Sequence, residues 1–221
     1  MSIHFPIIAI DGTAASGKGT VARRLATHFG FAYLDTGLLY RAVGWAVLQA
    51  GQDPQNESEA EKAAYALNAE TLEKWGSDPC LRQNEVSRAA SLVAAQPKVR
   101  SALLKFQKNF CLSPPHGQKG AVLDGRDIGT VIAPEAPVKI YITANIEVRA
   151  ERRFKELQKE AKNASYAAVL ADMKERDARD AERSVAPAKP AADAVIVDTT
   201  SMTADEVFDK ALSIAKGKLN S

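Results

Sequence analysis

Short apolar runs alternate with segments of helical periodicity from the beginning of the sequence. Ile7–Ile10 is a continuous apolar run that ends at a glycine turn, and apolar residues then recur at helical spacing as far as Phe29. The run predicts a buried parallel strand, and the spacing predicts a helix. A second strand over 31–34 and a second helix over 38–48 repeat this order.

Three further apolar runs, each bounded by turn residues, predict strands over 121–123, 138–142 and 194–197. Helical spacing predicts helices over 86–93, 97–106, 146–162 and 165–183, and a loop is expected over 112–119. Strands that alternate with helices are typical of a doubly wound parallel sheet. The sequence therefore predicts an α/β fold, with a five-stranded parallel sheet flanked by helices in a single domain over 1–221.

Two segments interrupt this alternation. Residues 53–84 combine polar runs, two Asp-Pro steps and a Gly-Ser turn with one helical stretch, which predicts an excursion from the main sheet. A polar joint at 162–164 separates two predicted helices. We expect this joint to belong to a mobile lid that spans roughly 155–170.

Composition narrows the classes of protein to which the chain can belong. Hydrophobic residues make up 46% of the sequence and charged residues 25%, close to the averages of globular proteins. The 29 basic and 27 acidic residues leave a net charge of +2, which argues against a dedicated binder of polymeric nucleic acid. Neither a signal peptide nor a membrane-spanning run is apparent, so we expect a cytoplasmic protein that does not bind membranes.

The Cys and His residues exclude several kinds of site. Cys80 and Cys111 have no second Cys or His at a metal-ligand spacing, and His4, His28 and His116 are scattered along the chain. The sequence therefore predicts neither a zinc site nor a catalytic relay based on His.

The strongest chemical signal is a glycine-rich segment between the first strand and the first helix. Its residues are Gly12, Thr13, Ala14, Ala15, Ser16, Gly17, Lys18, Gly19 and Thr20. Glycines let backbone N–H groups point at phosphate oxygens, and the helix N-terminus favours the same anion. Lys18 is placed to reach the β- and γ-phosphates of ATP, and Thr20 to bind Mg2+. The alternative, a glycine turn with a surface lysine, is disfavoured by the flanking strand and helix.

Charged residues follow the second and third strands, at the edge of the sheet where open α/β folds bind ligands. Thr36 is a candidate helix N-cap, and Arg41 lies about one and a half turns into that helix. Asp124 ends the third strand, which makes it a candidate for organising Mg2+ through water. Arg126 and Asp127 come next, and these charges either neutralise one another in a turn or serve the site.

One helical face collects charged residues late in the chain. Arg176, Arg179, Asp180 and Arg183 follow the i, i+3, i+4, i+7 pattern. This face is either a solvated surface with local ion pairs or a cationic surface for phosphates. Phosphoryl transfer between two nucleotides needs cations around the equatorial oxygens and no strong general base, so we favour the second interpretation.

Six stretches of the sequence carry a resemblance to a known family: IDGTAASGKGT, LDTGLLYR, EVSRAASLVAAQPKVR, LDGRDIGTVIAPEAPVKIYITA, KERDARDAERSVAPA and ADAVIVDTT. They resemble the bacterial cytidylate kinases over essentially the whole chain. The Gly-Lys-Gly-Thr form of the phosphate loop is also that of nucleoside-monophosphate kinases. The resemblance implies a P-loop kinase fold and ATP-dependent phosphorylation of CMP and dCMP to their diphosphates by direct in-line transfer, in pyrimidine nucleotide metabolism.

The resemblance also implies a role for individual residues. The implied cytosine-recognising residues are Ser91, Arg100 and Asp127. Those that bind the CMP phosphate are Arg41, Arg126 and Arg183, and those that hold the ribose are Tyr40, Arg176 and Asp180. Thr36 stands where the family commonly has a serine, and it keeps the hydroxyl group in the CMP site. The implied catalytic residues are Lys18, Arg126, Arg179 and Arg183, with Arg179 acting on the transferring phosphoryl group from the lid.

The chain departs from the family in one segment. Family members often carry a longer CMP-binding insertion with a small sheet. The corresponding excursion here, over 53–84, is short and poor in strand-like alternation. The CMP-binding insertion as a whole is expected to span about 53–96. We expect the protein to be a monomer with ATP and CMP or dCMP as its partners.

Two other functions are compatible with the phosphate loop alone. The chain could be a P-loop kinase that acts on UMP, AMP or a non-nucleotide acceptor, or a nucleotide sensor without catalytic activity. Cytosine offers an amine donor and the acceptors O2 and N3, which Asp127, Arg100 and Ser91 can together satisfy, and this combination argues against the first. The complete set of acceptor arginines argues against the second.

Overall fold

The centre of the molecule is a five-stranded parallel sheet. The computed structural model of the chain describes residues 5–76, 78–159 and 165–220. The strands are β1 (Ile7–Gly12), β2 (Ala32–Asp35), β3 (Ala121–Gly125), β4 (Val138–Thr143) and β5 (Val195–Asp198). They lie in the order β2-β3-β1-β4-β5, and every neighbouring pair is parallel. The predicted sheet is confirmed, and each predicted strand is found.

Helices flank the sheet, as predicted. Among the described residues they are α1 (Lys18–Phe29), α2 (Thr36–Gln49), α3 (Glu57–Ala66), α4 (Ala69–Gly76), α5 (Asn84–Val93), α6 (Pro97–Leu112), α7 (Ile146–Lys159), α8 (Tyr166–Glu182) and α9 (Ala204–Leu219). The predicted loop over 112–119 contains a short 3-10 turn at Pro115–Gly117. Helix α8 ends one residue earlier than predicted, because Arg183 has extended backbone angles.

Both faces of the sheet bury side chains, which explains its continuous apolar runs. Ile8 and Ile10 pack with residues of α1 and α9 on one face. Ile7 and Ala9 point to the other face and belong to a separate cluster, against which Leu104 and other residues of α6 pack. A strand that is buried on both faces has no polar side, so the sequence does not alternate.

Helix α9 is absent from the predicted elements, although its sequence carries the necessary signals. Thr203 and Glu206 form a reciprocal capping box at its N-terminus. Val207, Ala211 and Ala215 recur at a spacing of four and are buried against the sheet. Alanine contributes little hydrophobic contrast, so the apolar face is weak in the sequence and clear only in the packing.

The excursion over 53–84 contains helices and, among its described residues, no strand. Where the sequence predicts one helical stretch, there are two helices, α3 and α4, followed by a 3-10 turn at Pro79–Arg82. Asn56 caps α3 through its side chain, which is a local signal for a helix start. Helices α2, α3, α5 and α6 share an apolar cluster that includes Val43 and Val93. The excursion therefore builds a second core beside the sheet.

The predicted lid over 155–170 is only partly described. Helix α7 ends at Lys159 and α8 begins at Tyr166, and the polar joint at 162–164 lies outside the described residues. Where the chain is described, no helix has both the length and the apolar content that a bilayer span requires.

The close approach of α2 and α5 generates a prediction about stability. A Cβ atom on Gly44 of α2 would lie 2.9 Å from the backbone nitrogen of Ala90 and 3.0 Å from the Cβ atom of Ala89. Gly44→Ala must push the two helices apart, and we expect it to lower the free energy of unfolding by about 1–3 kcal/mol in a urea titration.

Gly217→Ala is the matched control for this substitution. Gly217 is also helical, but a Cβ atom there would meet no other atom within 4 Å. We expect this control to raise the free energy of unfolding by about 0.5–1 kcal/mol, because alanine has the higher helix propensity. Equal effects of the two substitutions would contradict the packing argument.

Candidate active site

The phosphate loop leaves β1 and enters α1, as the sequence predicts. Gly12 can only be glycine, because a Cβ atom would lie 2.0 Å from the carbonyl oxygen of Ile142 on β4. Ala15 and Gly17 have left-handed backbone angles, with φ of 55° and 88°. Gly17 is the N-cap of α1, and no side chain caps that helix. The N–H groups of the first turn are thus available to an anion.

Two hydrogen bonds hold the phosphate loop, one within the loop and one to β4. The Ser16 hydroxyl donates to the carbonyl oxygen of Thr13 at 3.0 Å. The Thr13 N–H donates to the carbonyl oxygen of Ile142 at 3.2 Å, so the loop is attached to β4. Both hydrogen bonds end on backbone carbonyl oxygens, so the inner surface of the loop is formed by backbone N–H groups.

Lys18 and Asp124 face each other at the edge of the sheet. Burial and the positive charge of Arg126 lower the pKa of Lys18 to about 8. Burial and the carboxylate of Asp35 raise the pKa of Asp124 to about 6. Asp35 and Asp124 are direct neighbours in the β2–β3 register, which explains their mutual repulsion.

Gly19, which follows Lys18, packs closely against Asp124. A Cβ atom on Gly19 would lie 3.1 Å from a carboxylate oxygen of Asp124, so a larger residue would have to displace this carboxylate by a few tenths of an ångström. Asp124 also accepts a hydrogen bond of 2.7 Å from the Tyr33 hydroxyl. The Gly-Lys-Gly-Thr form of the loop therefore places Asp124 beside the phosphate site.

The donor set at this edge suits a hydrated magnesium ion. Two buried or half-buried carboxylates, Asp35 and Asp124, raise the local negative charge, and Thr20 lies on the adjacent first turn of α1. No cluster of three or more His, Cys, Asp or Glu side chains that could hold a metal occurs among the described residues. Magnesium bound here would take most of its ligands from nucleotide phosphates and water, which is its usual behaviour in phosphoryl-transfer sites.

On the acceptor side, the predicted residues form buried ion pairs. Arg100 and Asp127 form one such pair, and Arg183 lies 3.5 Å from the other carboxylate oxygen of Asp127. Arg126 donates to Asp180 at 3.0 Å. The structure thus brings together residues that are far apart in the sequence.

Three of the predicted arginines, Arg41, Arg176 and Arg179, line a cavity beside these pairs. Arg179 donates to the Ser91 hydroxyl at 2.7 Å and also pairs with Glu175. The Nε atom of Arg176 is buried and has no hydrogen-bond partner within the described part of the chain. Burial and the charge of Arg126 lower the pKa of Arg176 to about 10. A buried donor without a partner is costly, and an anionic or hydroxyl ligand would satisfy it.

The remaining predicted CMP residues lie close by but already have partners. Arg41 donates to the carbonyl oxygen of Leu81 at 2.8 Å and to the hydroxyl of Ser87 at 2.7 Å. The ring of Tyr40 lies under the guanidinium of Arg100, with 5.4 Å between the ring centre and the Cζ atom. Thr36 donates to the backbone carbonyl of Asp124 at 2.8 Å. Its hydroxyl therefore ties α2 to the end of β3. The prediction that Thr36 caps α2 is wrong, because Asp35 is the N-cap and accepts from the N–H of Leu38. A direct role of Thr36 in CMP binding stays a prediction.

A cavity of about 470 Å³ joins the donor and acceptor sides. It is lined by Ala14 and Ala15 of the phosphate loop and by Arg41, Ser91, Arg176 and Arg179 of α2, α5 and α8. A nucleotide monophosphate in this cavity would lie directly against the phosphate loop. The geometry suits transfer of a phosphoryl group between two bound anions.

Three residues that contribute to this region are missing from the predicted set. Arg153 of α7 lines the cavity and donates to Asn84 at 3.2 Å. Arg88 of α5 lines the cavity as well. Arg149 is buried and contacts the carbonyl oxygen of Ala14 at 3.2 Å. Their only sequence signal is a high local density of arginine, which does not distinguish them from surface residues.

Arg149 connects the phosphate loop to the arginine-rich helix. Besides its contact with Ala14, it donates to the carbonyl oxygen of Ala144 at 2.8 Å and pairs with Asp177 of α8 at 2.7 Å. Helix α8 therefore has a fixed position relative to the loop. This explains how residues from opposite ends of the chain converge on one cavity.

Comparison with known proteins identifies the family of the chain. The chain matches the family described as cytidylate kinase over residues 8–217. The cytidylate kinase of Paramagnetospirillum magneticum is 57% identical over 212 residues, covering 96% of this chain and 98% of that protein. The cytidylate kinase of Rhodospirillum rubrum is 56% identical over 212 residues, again covering 96% and 98%.

A solved structure supports the fold alone. An uncharacterized protein from Eubacterium ventriosum superposes with a TM-score of 0.51 at 15% sequence identity, covering 96% of this chain and 98% of that chain. The family match and both relatives, by contrast, span nearly the whole sequence. The chain therefore belongs to the cytidylate kinase family, whose members are phosphotransferases, as its sequence motifs predict.

Proposed function

We propose that the chain phosphorylates CMP and dCMP to CDP and dCDP, with ATP as the phosphoryl donor, by direct in-line transfer. The observation that carries this proposal is the cavity of about 470 Å³ between the phosphate loop and the arginines of α2 and α8. An acceptor phosphate is already a nucleophile, so positioning and charge neutralisation can carry the catalysis. The absence of a candidate His or Cys relay from the sequence is consistent with this chemistry.

The phosphate loop, Gly12 to Thr20, binds the ATP phosphates in this proposal. Lys18 contacts the β- and γ-phosphates, and its low exposure strengthens each contact. Thr20 binds Mg2+ directly and Asp124 binds it through water. When bound, Mg2+ neutralises charge on the transferring phosphoryl group. Support comes from the free N–H groups at the N-terminus of α1 and from the carboxylates beside them.

The acceptor nucleotide occupies the other side of the cavity. Arg41, Arg126 and Arg183 bind the CMP phosphate, and Arg179 acts on the transferring phosphoryl group. Arginine suits both roles, because its planar group makes bidentate contacts with phosphate oxygens. Lys18, Arg126, Arg179 and Arg183 are therefore the proposed catalytic residues.

A second set of residues recognises the base and the ribose. Asp127 accepts from the exocyclic amine of cytosine, while Arg100 and Ser91 serve its acceptor atoms. Tyr40, Arg176 and Asp180 hold the ribose, and Thr36 contributes its hydroxyl group at the edge of the site. Uracil presents an oxygen where cytosine has the amine, so it would face the Asp127 carboxylate unfavourably.

Substrate binding must exchange several of the side-chain contacts described above. Arg126 is paired with Asp180, and Arg179 is paired with Glu175 and donates a hydrogen bond to Ser91, and each arginine must turn toward a phosphate when the nucleotides bind. We propose that this exchange accompanies closure of the CMP-binding insertion, about 53–96, and of the lid, about 155–170. Closure would exclude water and limit hydrolysis of ATP.

The cellular setting of this activity is part of the proposal. We propose a monomeric cytoplasmic enzyme that uses small-molecule nucleotides and binds neither polymeric nucleic acid nor membranes. The near-neutral net charge of +2 supports the first exclusion.

Acceptor specificity is tested with a panel of CMP, dCMP, UMP, AMP and GMP in a coupled assay for ADP production. We expect the two cytosine nucleotides to have the highest kcat/KM. Asp127→Asn removes the charge that accepts from cytosine, and we expect kcat/KM for CMP to fall by about 10- to 100-fold and the preference of CMP over UMP to shrink. A purine acceptor that equals CMP with the unmodified enzyme would overturn the specificity.

Arg183→Ala tests the role of the acceptor arginines. We expect kcat for CMP to fall by about 100-fold or more, because a cation that faces the transition state is lost, while the Kd for ATP in a binding titration changes little. The matched control is Arg24→Ala on α1, whose guanidinium pairs with the exposed Asp205 far from the cavity. A turnover number that matches that of the control variant would remove Arg183 from the catalytic set.

Thr20→Val tests the magnesium assignment. The valine keeps the shape of threonine but has no hydroxyl, so we expect the Mg2+ concentration at half-maximal activity to rise by about tenfold or more. Thr27→Val, in the last turn of the same helix, is the control and should leave the Mg2+ dependence unchanged. Identical Mg2+ titrations for the two variants would exclude Thr20 as a ligand.

A further inference from the structure

Asp11 is a buried carboxylate that has no part in the mechanism proposed above. It is the last residue of β1 before Gly12, where the phosphate loop begins, and its side chain is only 5% exposed. One carboxylate oxygen accepts from the N–H of Ile128 at 2.8 Å, and the other accepts from the N–H of Gly129 at 2.8 Å. Both oxygens thus hold the backbone of the turn that follows β3.

The turn held in this way carries two proposed substrate-binding residues. In the β1–β3 register Asp11 lies opposite Gly125, the last residue of β3. The chain leaves the sheet at Gly125, passes through Arg126 and Asp127, and returns to the Asp11 side chain. The segment is therefore attached to β1 at both ends, once by the sheet and once by the carboxylate.

The chemistry of Asp11 suits this attachment. Burial raises its pKa to about 6, and the two backbone N–H groups act in the opposite direction. The carboxylate is therefore ionised at neutral pH, and each oxygen makes a charge-assisted hydrogen bond. Such bonds are stronger than those between neutral groups. An apolar residue at this position would leave two buried N–H groups without an acceptor.

We infer that Asp11 is a positioning residue of the acceptor site: by holding the backbone of Ile128 and Gly129, it fixes Arg126 and Asp127 relative to the phosphate loop. This inference rests on the proposed function, because the position of Asp127 affects base selection only if Asp127 recognises the base. Asp11 itself contacts no substrate. It acts through the turn and links the strand that carries the donor site to the residues that select the acceptor.

A positioning role of Asp11 predicts selective changes in the kinetics, whereas a purely structural role does not. If the turn loosens, Asp127 and Arg126 shift while the phosphate loop keeps its own contacts with β4. The KM for CMP should then rise without a similar change in the KM for ATP. The preference of CMP over UMP should also fall, because it depends on where the Asp127 carboxylate lies.

The test is Asp11→Asn in the full chain. The amide keeps one acceptor oxygen but turns an NH2 group toward the other backbone N–H. We expect the KM for CMP to rise about tenfold and the CMP to UMP ratio of kcat/KM to fall by a similar factor, with the KM for ATP within about twofold of the original value. If this variant does not fold, Asp11→Ser, which keeps one small acceptor, is measured in the same way.

Ile8→Val is the matched control for lost stability. Ile8 lies on the same strand, is fully buried in the main core and faces neither substrate. It should lower the melting temperature without changing either KM or the CMP to UMP ratio. If Asp11→Asn raises the KM for CMP and that for ATP equally, or leaves the ratio unchanged, the inference is wrong.

A double variant separates this inference from the proposed function. If Asp11 acts through Asp127, then Asp11→Asn combined with Asp127→Asn should have the same CMP to UMP ratio as Asp127→Asn alone, because the group being positioned is already gone. Independent, multiplying effects would overturn the inference and leave the assignment of Asp127 intact. If Asp127→Asn itself leaves the ratio unchanged, the proposed base recognition fails and the inference fails with it.

Discussion

The parallel pairing of β1 with β3 and β4 is the constraint on which the rest of the site depends. In this register Asp11 lies opposite Gly125 of β3 and Tyr141 of β4, while Asp35 of β2 lies opposite Asp124 of β3. The carboxyl ends of these strands meet at one edge, so the phosphate loop and the acidic residues must be neighbours. A slip of one residue in any pair would turn these side chains to the opposite face and dismantle the site.

Close backbone approach then fixes the phosphate loop to that edge. Gly12 must be glycine because a Cβ atom would overlap the backbone of β4, and at Gly19 a Cβ atom would lie only 3.1 Å from the carboxylate of Asp124. Neither requirement comes from the phosphate itself. Packing against neighbouring elements therefore favours glycine at both positions of the loop. The same packing places Asp124 where it could bind, through water, a magnesium ion beside ATP.

Local patterns predicted most of the frame, because buried strands and helix starts leave signals within a few residues. The five strands and the phosphate loop are of this kind. The spacing of Arg176, Arg179 and Asp180 predicted a shared face, but Arg183 lies beyond the end of the helix and reaches Asp127 from extended backbone. Contacts of this sort depend on the tertiary fold, which a spacing rule does not contain.

The candidate site also contains both kinds of residue: some are identified by a local motif, and others only by their tertiary contacts. The roles proposed for Lys18 and Thr20 come from the motif alone, since they follow from the position of each residue within the loop. The pairing of Arg100 with Asp127 could not be assigned in this way, because it joins α6 to the segment after β3, two elements that the tertiary fold brings into contact. Only the family resemblance named both residues. Arg149 and Asp11 carry no distinguishing signal in the sequence. Each is one more charged residue until the fold shows the backbone groups that it holds.

The charge of the acceptor site gives a reason for its composition. Four guanidinium groups with little exposure, those of Arg100, Arg126, Arg176 and Arg183, lie around the buried carboxylates of Asp127 and Asp180, so positive charges outnumber negative charges by two within this group of six. Asp177 acts on Arg126 and Arg176 from outside the group. The phosphate of a nucleoside monophosphate carries close to −2 at neutral pH. Without substrate the two carboxylates pair with three of these arginines, Arg100, Arg126 and Arg183, while the Nε atom of Arg176 has no hydrogen-bond partner within the described part of the chain. A bound monophosphate would offset the excess positive charge of this group, and a nucleoside without its phosphate would leave that charge buried.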